Sequence, residues 1–259
     1  MASPSTKWIV YYSDKENSQK FRDYKVIVFD SDYHPEIGPL TTSDKILLGY
    51  ISIGEVEKQR SYFAEVKKQD ILFQENKYWP GSYFVDVRDP RWAKRVLEDL
   101  IPKILLKGYN GIFLDTLDNL AELERQDPIE YEGMVEAGVN LVKAIRMHYP
   151  EIKIMMNRGY ELLPDLAHTI DMELGESIYT DYNFETKTYQ RVEEELYQNQ
   201  VRVLKKAQKK NPKLEIYTLD YWYPEDKEAI KEIYNTERKN GFIPYVSTIE
   251  LNKIVDEPK

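Results

Sequence analysis

Eight short apolar runs, separated by polar or amphipathic stretches, are the feature that most limits what this chain can fold into. The runs lie at residues 8–12, 26–29, 45–53, 111–115, 153–157, 170–175, 215–219 and 241–246. Apolar runs that alternate with helical patterns predict strands of a parallel sheet. Eight repeats in 259 residues predict an α/β fold, a single (β/α)8 barrel of the TIM type. We expect residues 1–259 to form one domain, with its core at about residues 8–250.

The stretches between the runs carry the periodicity of helices. We predict helices at about residues 17–22, 89–107, 128–147, 160–166, 186–209 and 227–239, with an insertion at 55–80. An open doubly wound sheet is the alternative fold. No Gly-x-Gly-x-x-Gly motif follows the first run and no Walker-type phosphate loop is present, so a dinucleotide-binding fold has little support.

Charge and composition exclude several classes of partner. The net charge of −9 argues against nucleic acid, because binding its backbone needs clustered Lys and Arg. No apolar run approaches the roughly 20 residues of a membrane span, so we expect no membrane partner. We also expect the protein to be a monomer. The absence of cysteine excludes disulfides and thiol chemistry. We expect a secreted or cell-envelope protein whose signal peptide is not part of this sequence; a cytoplasmic protein is the alternative.

Tyrosine and tryptophan are abundant, with 21 Tyr and 4 Trp against 8 Phe. Their rings combine a flat apolar face with a hydrogen-bonding edge. A pyranose likewise has an apolar face and a polar rim. The composition therefore favours a polysaccharide or oligosaccharide as the ligand.

The motif at residues 107–118, KGYNGIFLDTLD, is the most informative in the chain. A helix ends there, two glycines turn the chain, and an apolar strand ends on Asp115. A lone buried carboxylate is costly unless it has a partner or a task, and the carboxyl ends of the strands carry the chemistry of α/β barrels. Asp115 is therefore a candidate catalytic residue; capping the next helix or pairing with an Arg is the structural alternative.

Other polar and aromatic side chains gather at the predicted strand ends, which meet at one mouth of a barrel. The candidates for contact with a substrate are Tyr12, Asp30, Tyr50, Ser52, Glu55, Asp118, Asn157, Arg158, Asp220 and Tyr245. A ring of carboxylates suits two kinds of chemistry. One is hydrolysis of a glycosidic bond by two carboxyl groups, and the other is a hard metal held by oxygen ligands.

The number and positions of the histidines argue against the metal alternative. A catalytic zinc site would use two or three His ligands. The chain has only His34, His148 and His168, in a loop, a helix end and a short loop, where ordinary surface or core roles suit them. We therefore expect no metal and no cofactor.

The second catalytic carboxyl group is expected from the sixth strand, where Glu173 and Glu176 are candidates. Side chains alternate along a strand, so two residues three positions apart cannot both face the mouth of a regular strand. Glu176, which follows Gly175 at the strand end, is the better candidate. Glu173 would be a buried supporting residue, or would replace Glu176 if the strand ended earlier.

Several of these segments resemble glycoside hydrolase family 114, the endo-α-1,4-polygalactosaminidase-like barrels, and most closely its bacterial and archaeal branch. Residues 49–57, GYISIGEVE, with Arg60 resemble the third-strand signature, and residues 108–118 resemble the fourth-strand motif. Further similar segments follow in the same order: Trp79-Pro80-Gly81, residues 85–88, Asn157, Gly175-Glu176-Ser177 and residues 241–246. The likeness spans about residues 8 to 250.

The resemblance implies a retaining endo-hydrolase of α-1,4-linked, partly deacetylated galactosamine polymers. By that resemblance, Asp115 is the nucleophile and Glu176 the general acid/base. An acidic mouth suits a substrate with free amines, and structural ion pairs are the alternative role for the other carboxylates. Two departures from the family, the insertion at 55–80 and the long polar helix between strands six and seven, shape the cleft and bear on which polymer it binds. The alternative functions are a non-catalytic carbohydrate-binding barrel and a metal-dependent hydrolase.

Overall fold

Eight parallel strands form a nearly closed barrel in the computed structural model, which describes residues 5–42 and 44–259. The predicted (β/α)8 fold is confirmed. The strands of the described chain are β1 Trp8–Tyr11, β2 Val26–Phe29, β3 Ile46–Ser52, β4 Glu55–Glu57, β5 Leu72–Glu75, β6 Ser82–Val85, β7 Gly111–Asp115, β8 Lys153–Asn157, β9 Met172–Glu176, β10 Thr180–Asn183, β11 Thr188–Arg191, β12 Glu215–Tyr221 and β13 Ile243–Ser247. The barrel order is β1–β2–β3–β7–β8–β9–β12–β13.

Helices connect the barrel strands. They are α1 Phe63–Lys68, α2 Pro90–Arg95, α3 Ile101–Leu106, α4 Asp118–Gln126, α5 Met134–His148, α6 Leu163–Leu166, α7 Glu194–Lys210 and α8 Lys227–Lys239. A π turn at Val96–Leu100 joins α2 to α3, so the helix predicted at 89–107 is continuous apart from that turn. Among the described residues, no helix is both long enough and apolar enough to cross a membrane.

Aromatic side chains fill the barrel interior and its outer layer. Inside, the ring of Trp8 lies 5.1 Å from that of Tyr217 and 5.9 Å from that of Tyr245. Phe29, on the other face of the sheet, packs against Phe21 at 4.9 Å between centroids. All five rings are almost fully buried. The interior is thus a packed core, as in other TIM barrels, and ligands are confined to the mouth.

The seam of the barrel lies between β1 and β13, which share no ladder pairing in the described chain. The C-terminal segment supplies hydrogen bonds there instead. The Tyr12 amide donates to the Leu251 carbonyl at 2.7 Å, and the Val255 amide donates to the Tyr245 hydroxyl at 3.5 Å. The residues after β13 therefore contact both strands at the seam.

Two small antiparallel sheets extend from the strand ends, β4–β6–β5 after β3 and the hairpin β10–β11 after β9. The hairpin corrects the prediction of a helix from residue 186, since α7 begins at Glu194. The Asn183 side chain accepts from the amides of Glu185 and Thr186. Lys187 then takes a left-handed φ of 56°, and this turn reverses the chain. Helix α4 is a second element that the periodicity did not predict.

Gly111 offers a test of the packing beneath the mouth. A Cβ there would lie 2.4 Å from the Lys153 carbonyl oxygen and 2.6 Å from Leu48 Cδ2, and β7 is held between β3 and β8. We expect Gly111→Ala to destabilise the protein by about 1–3 kcal/mol and to lower Tm by roughly 2–10 °C. Gly38→Ala, whose Cβ would meet nothing closer than 4.0 Å, is the control. Equal Tm values for the two variants in thermal unfolding would contradict this packing.

Candidate active site

Asp115, Asn157 and Glu176 meet at the mouth of the barrel. They end β7, β8 and β9, three neighbouring strands. Asn157 Nδ2 donates to Asp115 Oδ1 at 2.9 Å and to Glu176 Oε2 at 2.6 Å. A single amide group therefore bridges two carboxyl groups that lie far apart in the sequence.

This bridge limits the distance between the two carboxyl groups. Both oxygens touch the same nitrogen, at 2.9 and 2.6 Å, so they cannot be farther apart than these two distances laid end to end. Retaining glycosidases hold their carboxyl groups about 5–5.5 Å apart, and inverting enzymes about 6.5–9.5 Å apart. The distance between these two oxygens therefore lies in or below the shorter range.

Tyrosine hydroxyls complete the hydrogen bonding of the pair. The Tyr221 hydroxyl, at the end of β12, donates to Glu176 Oε1, and Tyr50 of β3 hydrogen-bonds to Asp115. Tyr12 packs edge-on against Tyr50, with 5.3 Å between ring centroids. Burial and the nearby carboxylates raise the pKa of each of these tyrosines well above its usual value. The hydroxyls therefore stay protonated at neutral pH and act as donors.

The residue after each member of the triplet has a left-handed backbone, with φ of 66° at Thr116, 54° at Arg158 and 53° at Ser177. Non-glycine residues in this region cost on the order of 1–3 kcal/mol each, and such strain gathers at functional sites. Hydrogen bonds to neighbouring strands fix two of the turns: the Arg158 amide donates to Leu174 at 2.9 Å, and the Ser177 amide to Leu219 at 2.8 Å. The turns end the strands just after the functional side chains.

The turn at Thr116 is held by the loop after β3. Thr116 Oγ1 hydrogen-bonds to Ser52 Oγ at 2.8 Å and accepts from the Gly54 amide at 2.8 Å. A Cβ on Gly54 would lie 2.4 Å from the Thr116 carbonyl oxygen, so this approach requires glycine. Ser52, predicted to contact a substrate, is buried and instead supports the backbone next to Asp115.

Glu55 is likewise a structural residue and not a surface of the mouth. Only 3 % of it is exposed. Its carboxylate accepts from Asn76 Nδ2 at 2.7 Å, from Asn119 Nδ2 at 2.6 Å and from the Ser82 hydroxyl. These bonds tie the insertion to α4. The predicted contact with a substrate is corrected because the carboxylate oxygens are already occupied.

Asp30 forms a structural ion pair, the alternative that the sequence left open. Its carboxylate accepts from Arg60 at 2.7 and 3.2 Å. Arg60 also contacts Asp32 and Glu57, at 3.0 and 2.6 Å, and its guanidinium lies 5.6 Å from the centre of the Tyr50 ring. Asp30 thus does not contact the carboxyl pair itself; it holds Arg60, which lies over the ring of Tyr50.

Asp220 and Tyr245 do not line the mouth, contrary to the prediction. Asp220 is 0 % exposed and accepts from two backbone amides at the start of β10. Burial raises its pKa to about 7, and burial together with Asp220 raises the pKa of Glu237 in α8 to about 9. Tyr245 is buried inside the barrel, where its ring packs against Trp8. Neither side chain is where a substrate could touch it.

Asp118 and Arg158 lie in the segments that follow β7 and β8, close to the carboxyl pair. Arg158 Nε lies 3.6 Å from Asp118 Oδ2, and the two side chains are partly exposed. Burial raises the pKa of Asp118 despite the nearby arginine. With Tyr12, Tyr50 and Asn157, these two residues remain predicted substrate contacts.

Glu173 lies on the opposite face of β9 from Glu176. It is fully buried, and its carboxyl oxygens have no hydrogen-bond partner among the described residues. Gly175 shares this face, and a Cβ there would lie 2.9 Å from Leu204 of α7. Burial raises the pKa of Glu173 well above its usual value, which favours its neutral form. Glu176 is therefore the glutamate that faces Asp115.

Tyr221 is a residue of the site to which sequence reasoning assigned no role. The alternation of side chains along a strand could have identified it, because Tyr217 and Tyr221 of β12 are four positions apart and share one face. Since Tyr217 packs inside the barrel, Tyr221 faces the interior and Asp220 faces the helices. The alternation of side chains along β12 would therefore have predicted Tyr221, and not Asp220, as the residue that faces the mouth.

The donor set of the mouth bears on metal binding. Within residues 5–42 and 44–259, no group of three or more His, Asp or Glu side chains is arranged to hold a metal ion. The two mouth carboxylates are already bonded to an amide and to hydroxyl groups. Independence from metal remains a prediction.

Comparison with known proteins decides the family. The sequence profile of glycoside-hydrolase family GH114 matches residues 1–258. The chain belongs to family GH114. It is a glycoside hydrolase, and the resemblance of its strand motifs to this family is confirmed.

Solved structures share the fold of this GH114 protein. The glycoside hydrolase domain of PelA from Pseudomonas aeruginosa superposes with a TM-score of 0.85 at 22% identity, over 97% of this chain and 98% of that one. Ega3 of Aspergillus fumigatus, in complex with galactosamine, superposes with a TM-score of 0.74 at 14% identity, over 99% and 96% of the two chains. At these identities the likeness shows the fold alone.

Sequence relatives occur in distant organisms. An uncharacterized protein of Thermotoga maritima is 24% identical over 237 residues, which cover 85% of this chain and 71% of that protein. An uncharacterized protein of Methanocaldococcus jannaschii is 25% identical over 229 residues. That match covers 82% of this chain and 64% of the archaeal protein, so this chain spans less than two thirds of it.

The electrostatics of the pair predict a pH-dependent stability. Burial and the charge of Glu176 raise the pKa of Asp115 to about 7. Ionising a group whose pKa is raised by folding costs stability as pH rises from about 4, the unfolded value, to about 7. We expect Asp115→Asn to match the wild-type Tm near pH 4 and to exceed it by roughly 2–8 °C at pH 8. Thermal unfolding across this range measures the effect, and a Tm difference that does not vary with pH would contradict the raised pKa.

Proposed function

We propose that this protein is a retaining endo-hydrolase of α-1,4-linked, partly deacetylated galactosamine polymers, with Asp115 as nucleophile and Glu176 as general acid/base. The observation that carries the proposal is the Asn157 amide that contacts both carboxyl groups, at 2.9 and 2.6 Å. This short separation suits direct attack by one carboxylate. The fold shared with Ega3 in complex with galactosamine supports the choice of sugar.

In the first step, Asp115 attacks the anomeric carbon while Glu176 protonates the oxygen of the leaving sugar. The bond from the anomeric carbon to that oxygen breaks, and a glycosyl ester forms on Asp115. The carboxyl pair has to begin with one proton, on Glu176. Burial, and after it the charge of Glu176, raises the pKa of Asp115 to about 7. Asn157 and Tyr50 donate to this carboxylate, which must stay ionised to attack.

In the second step, Glu176 acts as the base. It removes a proton from a water, which attacks the same anomeric carbon and releases Asp115 as a carboxylate. Tyr221 donates to Glu176 throughout. This bond stabilises the ionised form that Glu176 has after it has protonated the leaving group.

The substrate's amine fits the charge of the site. In a hexosamine, the nitrogen is on C2, next to the anomeric carbon, so an ammonium group must lie close to both carboxyl groups during the reaction. Such a charge favours the ionised form of Asp115. A deacetylated ring at this position would lower the pKa of the nucleophile, whereas an acetylated ring would not.

The proposal is tested by incubating the purified protein with three polymers and measuring new reducing ends. The polymers are a partly deacetylated α-1,4-galactosamine polymer, its fully acetylated form, and a β-1,4-linked glucosamine polymer. We expect release from the first, little from the second and none from the third. Binding of the first polymer with no release in any condition would favour a carbohydrate-binding barrel instead.

Substitution of the two carboxyl groups tests their roles. We expect Asp115→Asn and Glu176→Gln each to lower polymer turnover by at least about 10³-fold, because nucleophile and acid act as a unit. Glu176→Gln should recover part of the rate on an aryl glycoside with a good leaving group, which needs little protonation. Asp115→Asn should not recover, because it lacks the nucleophile.

Glu173→Gln is the matched control for these substitutions. It makes the same chemical change on the same strand, but on the face that packs against the helices. We expect its turnover to remain within a few-fold of wild type. An inactive, folded Glu173→Gln variant with an active Glu176→Gln variant would show that the acid/base has been assigned to the wrong glutamate.

Metal independence gives a further test. We expect prolonged dialysis against a chelator to leave turnover unchanged, because the carboxyl pair, its amide and its hydroxyl donors can complete the proposed chemistry by themselves. Turnover measured before and after dialysis checks this. Activity that is lost on chelation and restored by a divalent ion would support the metal-dependent alternative.

A further inference from the structure

Phe184 packs against two other exposed aromatic side chains, Tyr78 and Trp79, in the loops that follow the barrel strands. Tyr78, Trp79 and Phe184 are 52, 52 and 39 % exposed. The rings of Trp79 and Phe184 lie 5.3 Å apart at 77°, and those of Tyr78 and Phe184 lie 6.2 Å apart. We call these three side chains the aromatic bridge. Clustered exposed apolar surface is typical of a binding site.

The aromatic bridge joins two loops on either side of Asp115 and Asn157, one after β3 and one after β9, the strand that ends on Glu176. Tyr78 and Trp79 lie in the turn between β5 and β6, on the sheet that follows β3. Phe184 follows β10, in the hairpin after β9. In the barrel order, β7 and β8 stand between β3 and β9, and these two strands end on Asp115 and Asn157. The bridge therefore spans the sector that holds the proposed reaction centre.

A row of further rings supports the hairpin side of the bridge. Phe184 packs on Tyr182 at 5.1 Å, Tyr182 on Tyr189 at 5.2 Å, and Tyr189 on Tyr223 at 4.8 Å. Tyr223 follows β12, whose end carries the Tyr221 that donates to Glu176. The exposed ring of Phe184 is thus held in place by contacts that continue to the strand beside the acid/base.

We infer that Trp79 and Phe184 form a sugar-stacking subsite for a pyranose ring of the polymer, beyond the two rings that flank the cleaved bond. This rests on the proposed function. The two rings are nearly perpendicular, so a sugar can stack its apolar face on one ring while its edge contacts the other. Tyr78 is a weaker candidate for stacking, since Lys77 Nζ lies 4.6 Å from the centre of its ring.

Chain length is the property that distinguishes this subsite from the catalytic pair. A short oligosaccharide can occupy the reaction centre without reaching the bridge, whereas a long one can contact both. Aromatic stacking adds affinity for the long chain only. The subsite would therefore favour attack within long chains over attack on short products.

The test measures binding of α-1,4-linked galactosamine oligomers to protein that carries Asp115→Asn, so that no ligand is consumed. In this background, Trp79→Ala and Phe184→Ala should each weaken binding of an octamer by about tenfold, the effect of about 1.4 kcal/mol of lost stacking. Binding of a trimer should be unchanged, and Trp79→Phe should retain most of the octamer affinity. Met147→Ala, an exposed apolar residue at the end of α5, is the control and should bind both oligomers like the parent.

Two outcomes would overturn the inference, and they are distinguishable. If the parent binds the octamer but the alanine variants bind it equally well, or lose the trimer to the same extent, the stacking subsite is wrong and the proposed function stands. If the parent binds neither oligomer, the proposed substrate is wrong and the subsite falls with it. Because the substituted side chains are exposed, the variants should keep the parent's Tm.

Discussion

The hydrogen bonds from one amide, that of Asn157, to two carboxyl groups at the mouth are the interaction on which the candidate active site depends. Burial and mutual repulsion disfavour two carboxylates side by side. A donor shared between them, with Tyr50 on one side and Tyr221 on the other, offsets part of that cost. The pair is thus held in place before any substrate arrives, and such preorganised polar groups account for much of an enzyme's rate enhancement.

The backbone next to the carboxyl pair is strained. Left-handed residues follow Asp115, Asn157 and Glu176, and each strained turn is stabilised by hydrogen bonds from a neighbouring segment. Ser52 and Glu55, which look like mouth residues in the sequence, serve this support. Their polar atoms are used to position backbone and loops, and so they are not available to a ligand.

Two buried acidic residues outside the mouth, Asp220 and Glu237, also have structural roles. The Asp220 carboxylate accepts from two backbone amides at the start of β10, and this strand leads to Phe184 of the aromatic bridge. Glu237 lies beside Asp220, and burial raises the pKa of both groups. A proton held by this pair keeps a double charge out of the layer between sheet and helices. The hairpin therefore begins at backbone amides that donate to Asp220, a buried carboxyl group on the outer face of β12.

The sequence by itself determined the eight strands, their parallel order and the positions of Asp115, Asn157 and Glu176 at strand ends. These features are local, because a strand buried on both faces is a continuous apolar run and a polar residue at its end is conspicuous. Only the tertiary structure decided which strand-end side chains face the mouth. That choice depends on the direction of each side chain and on partners from distant segments, such as Asn76 for Glu55 and Thr116 for Ser52. The hairpin at residues 180–191 also depends on the tertiary structure, since its aromatic rings pack against loops from other strands. No periodicity within the hairpin sequence could reveal those contacts.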